Sequence, residues 1–204
     1  MIDKANDLTA QYKKHAVSKL AQQWQVVPRV PLDFSFRDLN SIAEISMDES
    51  RKRHEKPLGP GISSVTTAIR LPNNHISSLN NLFSISSRIV ENPLNIAWID
   101  LSFNNLTEID LELLNFPHLN TLYLHANNIA ALPEIEKLAQ LDHLHTLTLH
   151  GNPLENAKGY RQYAVSRLAR LKHLDFCAIT KQDRAIAKAW WDYVERKKGV
   201  VEDM

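Results

Sequence analysis

The hydrophobic residues of this chain repeat one pattern, in which leucine-like positions are followed by an asparagine. Residues 96–106, 119–129 and 144–154 each read L-x-x-L-x-L-x-x-N-x-L, with isoleucine at some leucine positions, and carry Asn104, Asn127 and Asn152. These asparagines are 127 − 104 = 23 and 152 − 127 = 25 residues apart. Repetition at about 20 to 29 residues is typical of a leucine-rich repeat. The pattern predicts an α/β solenoid with short parallel strands on its concave side and helices or turns on its convex side.

Each position in the pattern has a structural reason. Successive side chains of a strand point to opposite faces, so Leu122 and Leu124 point inward and Tyr123 points outward. Asn127 follows where the chain turns away, and its amide can bond to backbone groups that the turn leaves unpaired. We therefore expect the leucines to form the core and the asparagines to form a ladder between repeats.

Two weaker copies extend the array in both directions. Residues 66–76 keep Asn74, although Thr66 replaces the first leucine, as suits a terminal repeat. The next asparagine lies 104 − 74 = 30 residues further on, and the additional residues predict a longer convex-side helix within 77–95. A fifth strand is predicted within 171–176, where Ile179 stands in place of the asparagine. The repeats are assigned to residues 61–158.

Residues 1–60 do not repeat and are assigned as an N-terminal extension. Apolar residues at every fourth position predict an amphipathic helix over about 3–24: Leu8, Tyr12, Ala16, Leu20 and Trp24. Residues 32–36 are expected to be an extended segment beside the first repeat, 42–45 a short helical turn, and 47–61 a linker. The helix has two interpretations: a cap over the first repeat, which is favoured because terminal repeats need a cover, or a helix that docks into a partner's groove.

The segment after the repeats predicts a C-terminal cap over residues 159–198 and a tail over 199–204. Thr180 and Asp183 have nearly the spacing and chemistry of a capping box at the start of a helix, which should end near Gly199. Trp191 is expected to be either a packed rim residue, the favoured reading, or a secondary partner contact. Four residues share one helical face and should cover the last strand: Ile186, Trp190, Tyr193 and Val194.

Residues 159–184 also resemble a known kind of cap. Tyr160-Arg161, leucines at 168, 171 and 174, Asp175 and Asp183-Arg184 occur in the order found in the leucine-rich repeat proteins that regulate protein phosphatase one. The resemblance extends over about residues 66–196. It implies that a Tyr-Arg helix, a Leu-Asp strand and a terminal helix seal the open end of the solenoid. It also implies a regulator that holds a protein partner.

Composition narrows the cellular setting. The single cysteine, Cys177, permits no internal disulfide and favours a reducing compartment. Six charged side chains within the first twenty residues argue against a signal sequence, and no stretch approaches the roughly 20 apolar residues of a membrane span. Residues 61–159 carry four basic and nine acidic side chains, unlike a nucleic-acid-binding surface. We expect a cytoplasmic protein, monomeric by itself, that binds proteins but neither nucleic acid nor membranes.

The predicted binding surface consists of outward positions on and beside the strands. Trp98 and Tyr123 on adjacent strands are the foremost candidates, because aromatic side chains within a polar surface commonly anchor a partner. The competing interpretation is that the N-terminal helix covers them. The full set of predicted contacts is Arg70, Trp98, Asp100, Tyr123, His125, Thr148, His150, His173 and Asp175.

Metal binding and catalysis have little support. His125, His150 and Cys177 occupy equivalent positions in successive repeats, which is compatible with zinc, but the sequence supplies no clear fourth ligand. With only five glycines in the chain, there is no phosphate-binding glycine loop, and G-x-S-x-G and H-E-x-x-H are also absent. We expect no metal, no cofactor and no enzymatic activity.

Two functions remain after these considerations. The first is a non-catalytic scaffold or adaptor that binds a protein partner through the concave face. The alternative is a structural component of a large assembly such as a ciliary axoneme, associated with the cytoskeleton or the cilium. A freely soluble cellular pool without axonemal or cytoskeletal enrichment would remove the second.

Overall fold

The computed structural model describes residues 25–28, 31–45, 62–90 and 92–202. The amphipathic helix predicted over 3–24 and the linker predicted over 47–61 lie outside these residues, so both stay predictions. In the part of the chain that is described, no helix is both long enough and apolar enough to cross a membrane.

Short strands stack side by side along the solenoid. The strands of the described residues are β1 (Gln25–Pro28), β2 (Leu32–Asp33), β3 (Ile62–Val65), β4 (Ala68–Arg70), β5 (Trp98–Asp100), β6 (Thr121–Tyr123), β7 (Thr146–Thr148), β8 (His173–Leu174) and β9 (Cys177–Ala178). Strands β1 and β3 form a separate parallel pair, and the other seven form the main sheet in the order β2-β4-β5-β6-β7-β8-β9. Each solenoid turn contributes one strand to the main sheet, except the last, which contributes β8 and β9.

The strands pair in register, so each residue lies beside the residue at the equivalent repeat position in the next turn. Ile69 pairs with Ile99, Ile99 with Leu122, and Leu122 with Leu147. Leu174 continues the row, and all five side chains are buried. Burying a side chain of this size contributes roughly 1.5–3 kcal/mol, so the row is a main source of stability. The predicted leucine core and solenoid fold are confirmed.

The convex side is built from one short α-helix and a series of 3-10 helices. Helix α1 (Leu82–Ile89) lies between Asn74 and Asn104, which confirms the convex-side helix predicted there. It packs on the following turn through Phe83 and Phe116, whose ring centroids are 5.4 Å apart. The 3-10 helices are Ile42–Glu44, Pro93–Asn95, Leu111–Asn115, Leu132–Gln140 and Pro153–Asn156.

The asparagines form the predicted ladder. Asn127 Nδ2 donates to the carbonyl oxygens of Leu124 in its own turn and Leu101 in the preceding turn, both at 3.0 Å. Its Oδ1 accepts from Leu106 N, also at 3.0 Å. Equivalent bonds are made by Asn74, Asn104 and Asn152. Each buried amide therefore joins two turns, and its donors and acceptor are used by the fold.

Residues 31–45 form a solenoid turn of their own at the N-terminal end. Leu32 pairs with Ile69 across β2 and β4, which confirms the extended segment expected beside the first repeat. The expected helical turn is the 3-10 helix Ile42–Glu44, whose cap is Ser41: its Oγ accepts from Ala43 N at 3.0 Å. Phe34, Leu39 and Ile42 are buried against the first repeat. Part of the predicted N-terminal extension thus belongs to the solenoid and covers its open edge.

Helices α2 (Tyr160–Arg167) and α3 (Lys181–Glu202) close the C-terminal end together with β8 and β9. Because β9 runs antiparallel to β8, the parallel array ends there. Arg184 of α3 donates to the carbonyl oxygens of Val165 at 2.6 Å and Leu168 at 2.9 Å. Carbonyl groups at the end of a helix lack partners within the helix, and this guanidinium supplies them for α2.

The cap differs from its prediction in which face of α3 points inward. Ile186 and Tyr193 are 49% and 52% exposed, so two of the four predicted covering residues are wrong. Ala187 is buried instead, beside the partly buried Trp190. The prediction considered only the large apolar side chains of the helix. The small side chain of Ala187 instead allows α3 to pack closely, and the Arg184 guanidinium points inward because it bonds to carbonyl oxygens of α2 and the residue after it.

The two ends of α3 are also informative. Asp183 N donates to Thr180 Oγ1 at 3.1 Å and Thr180 N donates to the Asp183 carboxylate at 2.8 Å, which confirms the capping interaction. These bonds, with Arg161 nearby, lower the pKa of Asp183 to about 2. The helix continues through Gly199 to Glu202, beyond its predicted end, because a glycine costs a helix only about 1 kcal/mol.

Candidate functional site

Aromatic side chains from neighbouring strands meet on the concave side. Trp98 of β5 and Tyr123 of β6 are both half-buried and lie edge to face, with ring centroids 5.9 Å apart. The in-register pairing of β5 with β6 places them in adjacent turns. Arg70 of β4 lies over the Trp98 ring at 6.0 Å and donates from Nη1 to Asp33 at 2.9 Å. The two foremost candidates are therefore in contact.

Two histidines extend this cluster along the solenoid. His125 and His150 follow β6 and β7 and stack face to face, with centroids 4.7 Å apart and ring planes 7° apart. His125 Nδ1 lies 2.8 Å from the hydroxyl of Thr148. Burial lowers the pKa of His125, and the repulsion expected from His150 lowers it further. At neutral pH His125 is therefore uncharged and presents an aromatic surface.

Two phenylalanines that the sequence analysis missed complete the surface. The Phe103 ring is 5.3 Å from that of His125, and the Phe176 ring is 5.6 Å from those of both Tyr123 and His150. Phe103 is 51% exposed and Phe176 is 61% exposed. We define the aromatic patch as Trp98, Phe103, Tyr123, His125, His150 and Phe176.

The sequence held a signal for Phe103. Phe103 directly precedes Asn104, in a turn where the backbone takes a positive φ of 54°. The corresponding residues of other repeats are Asn73, Ala126 and Gly151, which are small or tolerate this conformation. A large aromatic residue there was the anomaly, but the prediction considered only positions on the strands and directly after them.

Two predicted contact residues are wrong because the structure buries them. Asp100 is 6% exposed, and its carboxylate accepts from the backbone N and the hydroxyl of Ser102 at 3.1 and 2.7 Å. Thr148 is fully buried, with its hydroxyl against His125. The prediction treated every residue between two strand leucines as open to solvent. Short polar side chains at these positions instead bond to their neighbours beneath the larger rings.

Asp175, another predicted contact residue, is engaged in hydrogen bonds within the fold. Its Oδ1 accepts from Leu149 N at 2.7 Å and His150 N at 2.9 Å, and its other oxygen accepts from the Tyr160 hydroxyl at 2.8 Å. Burial, followed by the charge of Asp175, raises the pKa of Tyr160. The last turn has no ladder asparagine. In that turn the Asp175 carboxylate accepts hydrogen bonds from backbone N–H groups of the preceding turn instead.

The remaining predicted residues lie outside the aromatic patch. His173 is exposed on β8. Trp191 is half-buried in the cap, where Arg167 lies over its ring at 4.6 Å and the Tyr163 ring is 5.8 Å away. The structure therefore favours the packed interpretation of Trp191 over a partner contact.

A metal site does not form from the proposed histidines and cysteine. Among the described residues, no group of three or more histidine, cysteine, aspartate or glutamate side chains is placed to hold a metal ion. His125 and His150 face each other through their ring planes, whereas a metal is bound by ring nitrogens in the plane.

Comparison with known proteins places the chain in a family. A family model described as a leucine-rich repeat matches residues 58–201. The chain belongs to the leucine-rich repeat family. This leucine-rich repeat chain is 45% identical over 166 residues to leucine-rich repeat-containing protein 51 of Homo sapiens, covering 80% of this chain and 86% of that protein. The Mus musculus protein of the same name is 42% identical over 169 residues, with the same coverage.

A solved structure agrees with the leucine-rich repeat assignment. A chain in the crystal structure of the Drosophila melanogaster SNF/U2A' complex is similar to this one with a TM-score of 0.55 and 25% sequence identity. The similarity covers 68% of this chain and 75% of that chain. The narrower resemblance of the cap to regulators of protein phosphatase one stays a prediction.

The leucine-rich repeat architecture accounts for some residues and not for others. The leucines fill the core and the asparagines join the turns, so neither set is available to a partner. The aromatic patch is not needed by the repeat pattern. It is therefore the feature of the concave side that a function has to explain.

Proposed function

We propose that this leucine-rich repeat protein is a non-catalytic scaffold that binds a protein partner through the aromatic patch. The supporting observation is that the patch is continuous. Its six rings come from four consecutive turns, and each ring has a neighbour within about 6 Å. Clustered aromatic side chains on a mainly polar surface are typical anchors of protein interfaces.

The backbone of the two phenylalanines supports the same proposal. Phe103 and Phe176 have φ of +54° and +62°, in the left-handed region. This conformation costs a residue with a Cβ roughly 1–2 kcal/mol, and asparagine or glycine tolerates it better. Because both side chains are largely exposed, they return little of that cost through burial. Residues that are unfavourable for the fold are expected where a function requires them.

The charges around the patch indicate what kind of partner surface fits. Arg70 is paired with Asp33, and Asp100 is buried beneath the surface. His125 is uncharged at neutral pH because its pKa is lowered. The proposed partner therefore presents apolar or aromatic side chains at its centre. The proposal includes a cytoplasmic location, no cofactor and no enzymatic activity, and the similar chain solved in the SNF/U2A' complex is compatible with it.

The proposal is tested with the double variant Phe103→Asn with Phe176→Asn. Asparagine removes the rings but suits the left-handed backbone, so the fold should be retained. Proteins crosslinked to tagged wild-type protein in native cells are quantified by mass spectrometry and compared with those captured by the variant. Specific partners should fall by about tenfold or more, because central aromatic anchors contribute about 2 kcal/mol or more each.

Phe36→Asn is the matched control. Phe36 has the same left-handed backbone, with φ of +57°, and is 76% exposed, but it lies two turns before Phe103 and is not one of the six residues of the patch. This variant should capture partners at the wild-type level. Undiminished capture by the double variant, or equal losses in the control, would show that the patch does not bind the partner.

A further inference from the structure

Basic side chains line the edge of the sheet at which the parallel strands begin. The phenylalanines of the aromatic patch lie beyond the opposite ends of the strands. Each basic residue stands one or three positions before β6, β7 or β8. We define the strand-start edge by these residues: His118, His143, His145, Arg170 and Lys172.

The repeat geometry brings these side chains together. The rings of His118 and His143 have centroids 5.5 Å apart. Lys172 N donates to the His145 carbonyl oxygen at 2.7 Å, so these two residues are neighbours in adjacent turns. After burial, the charges of Lys172 and His143 are the causes that lower the pKa of His145. Three groups that carry positive charge when protonated therefore lie within electrostatic reach of one another.

Acidic side chains do little to balance this edge. Asp142 bonds to Arg170, and both side chains are exposed. No carboxylate contributes to the shifted pKa of His145. The charge of Lys172 and the rings of the exposed His118 and His143 are thus available to an anionic partner, together with the exposed His173 beside them. The ring of His145 is already engaged, because its Nδ1 lies 2.8 Å from the side-chain amide of Asn120.

A half-open cavity of about 210 Å³, lined by leucines, alanines and two arginines, adjoins the strand-start edge. Five leucines line it with the exposed Ala139 and Ala169, and Arg167 and Arg170 complete the lining. Arg167 is held by Glu136 at 3.1 Å, whereas Arg170 belongs to both the cavity and the edge. An apolar cavity of about 150 Å³ accommodates benzene, so this one has room for a single aliphatic or phenyl side chain.

We propose that the strand-start edge and this cavity together bind an acidic peptide segment that carries one leucine-sized anchor residue. The anchor side chain enters the cavity between the leucines, and the flanking carboxylates accept hydrogen bonds from Lys172 and the histidines. This site is separate from the aromatic patch and does not depend on it.

The distribution of charge favours an acidic peptide over nucleic acid. A phosphate backbone needs several permanent cations, but Arg170 is already paired and Lys172 is the remaining one on the edge. Carboxylates together with an aliphatic anchor match both the edge and the cavity.

Fluorescence anisotropy with the full chain tests the proposal. The probe is a fluorescein-labelled peptide in which one leucine is flanked on both sides by glutamates. Binding should weaken by about fivefold between about 50 and 300 mM salt, because exposed contacts between opposite charges are screened by salt. The peptide with glycine in place of leucine should bind about tenfold more weakly, since its anchor is lost. The peptide with glutamine in place of glutamate should bind more weakly and lose the salt dependence.

Protein variants locate the site. His143→Ala with Lys172→Ala should weaken binding by about five- to tenfold through the loss of two charge contacts, whereas Lys188→Ala on α3 should not. Ala169→Trp fills the mouth of the cavity and should weaken binding, and Ala130→Trp, an exposed alanine outside the cavity lining, is its control.

Three results would overturn the proposal. These are tighter binding of a single-stranded oligothymidylate than of the acidic peptide at equal salt, unchanged peptide affinity in the edge and cavity variants, or equal losses in their controls. The double variant Phe103→Asn with Phe176→Asn should bind the peptide normally, so failure of one proposed site is distinguishable from failure of the other.

Discussion

One residue position in each described turn before the cap combines a fixed backbone with a free choice of side chain. The residue two positions after the second inward-pointing strand side chain has a positive φ, between 54° and 71°. Because the side chain there points away from the core, packing does not restrict it. A turn can thus change its surface without changing its interior, as shown by the occupants Phe36, Asn73, Phe103, Ala126 and Gly151.

The asparagine ladder predicts a large effect from a small substitution. Asn127→Ala should lower the free energy of unfolding by about 2–4 kcal/mol, because buried backbone groups of Leu101, Leu106 and Leu124 lose their partner. Asn128→Ala, at the exposed neighbouring position, should change it by less than about 0.5 kcal/mol. Urea unfolding measures both, and similar values for the two variants would contradict the structural role of the ladder.

Phe103 should show the opposite behaviour. Phe103→Asn should raise the free energy of unfolding by up to about 1 kcal/mol, because asparagine relieves the left-handed backbone and little burial is lost. Phe103→Ala removes the same ring but keeps the backbone cost, so it should be the less stable of the two variants. If urea unfolding ranks alanine above asparagine, backbone conformation is not what makes Phe103 unfavourable.

For individual residues, the sequence predicts the positions that recur once in every repeat. Leucines and asparagines recur because each turn packs on an identical neighbour, and those positions were confirmed. The exposure of the residues between the two strand leucines does not recur in this way, because it depends on whether a larger ring from a neighbouring position covers them. Asp100 and Thr148 were therefore misplaced, and Phe103 and Phe176 were missed in the turns after the strands.

Among the elements, the C-terminal cap is held by shape and by hydrogen bonds as well as by apolar contact. Trp190 of α3 lies against Gly159, the residue before α2, whose φ is +84°. A Cβ added to Gly159 would lie 2.4 Å from Trp190 Cζ2. The glycine thus allows both the turn into α2 and the approach of α3.

Gly159→Ala should lower the free energy of unfolding by about 2–4 kcal/mol, as it combines a strained φ with displacement of Trp190. Gly151→Ala is the comparison, because its φ is +71° but its added Cβ approaches no atom closer than 3.3 Å. It should cost about 1–2 kcal/mol. Tryptophan fluorescence should change in the first variant and stay as in wild type in the second. Equal costs with unchanged fluorescence would mean that Trp190 is not positioned by Gly159.

The sequence predicted that this cap exists but not how it packs. Thr180 and Asp183 mark the start of α3 locally, and local signals need no knowledge of the rest of the fold. The inward direction of Arg184 depends on carbonyl groups at the end of α2, which the α3 sequence does not reveal. For the same reason, residues 31–45 are recognisable as a solenoid turn only through their pairing with β4.

For the molecule as a whole, pH should alter stability through His125 and His145. The pKa of each lies below the usual 6.5 in the folded chain, so the native state binds fewer protons than the unfolded state. The free energy of unfolding should therefore decrease as the pH falls through and below about 6.5. The lowered pKa of Asp183 acts in a separate range, below about pH 4.

Urea unfolding between about pH 7.5 and pH 5 measures this slope. His125→Gln should flatten it in part, since His145 remains, whereas Asn128→Gln, an exposed substitution that removes no titratable group, should leave it as in wild type. An unchanged slope in His125→Gln would show that the stacked histidine pair does not resist protonation.

The in-register pairing of β5 to β8 also sets a distance. A turn inserted between Phe103 and Phe176 would find matching leucines and asparagine bonds on both sides, so the fold would accept it. It would, however, increase the distance between the two rings by one strand spacing, about 4.8 Å. The core packing of the solenoid therefore does not restrict the number of its turns, whereas the distance between the two phenylalanines depends on that number. If the proposed function is correct, the number of turns between the two phenylalanines sets the length of the partner surface that they contact.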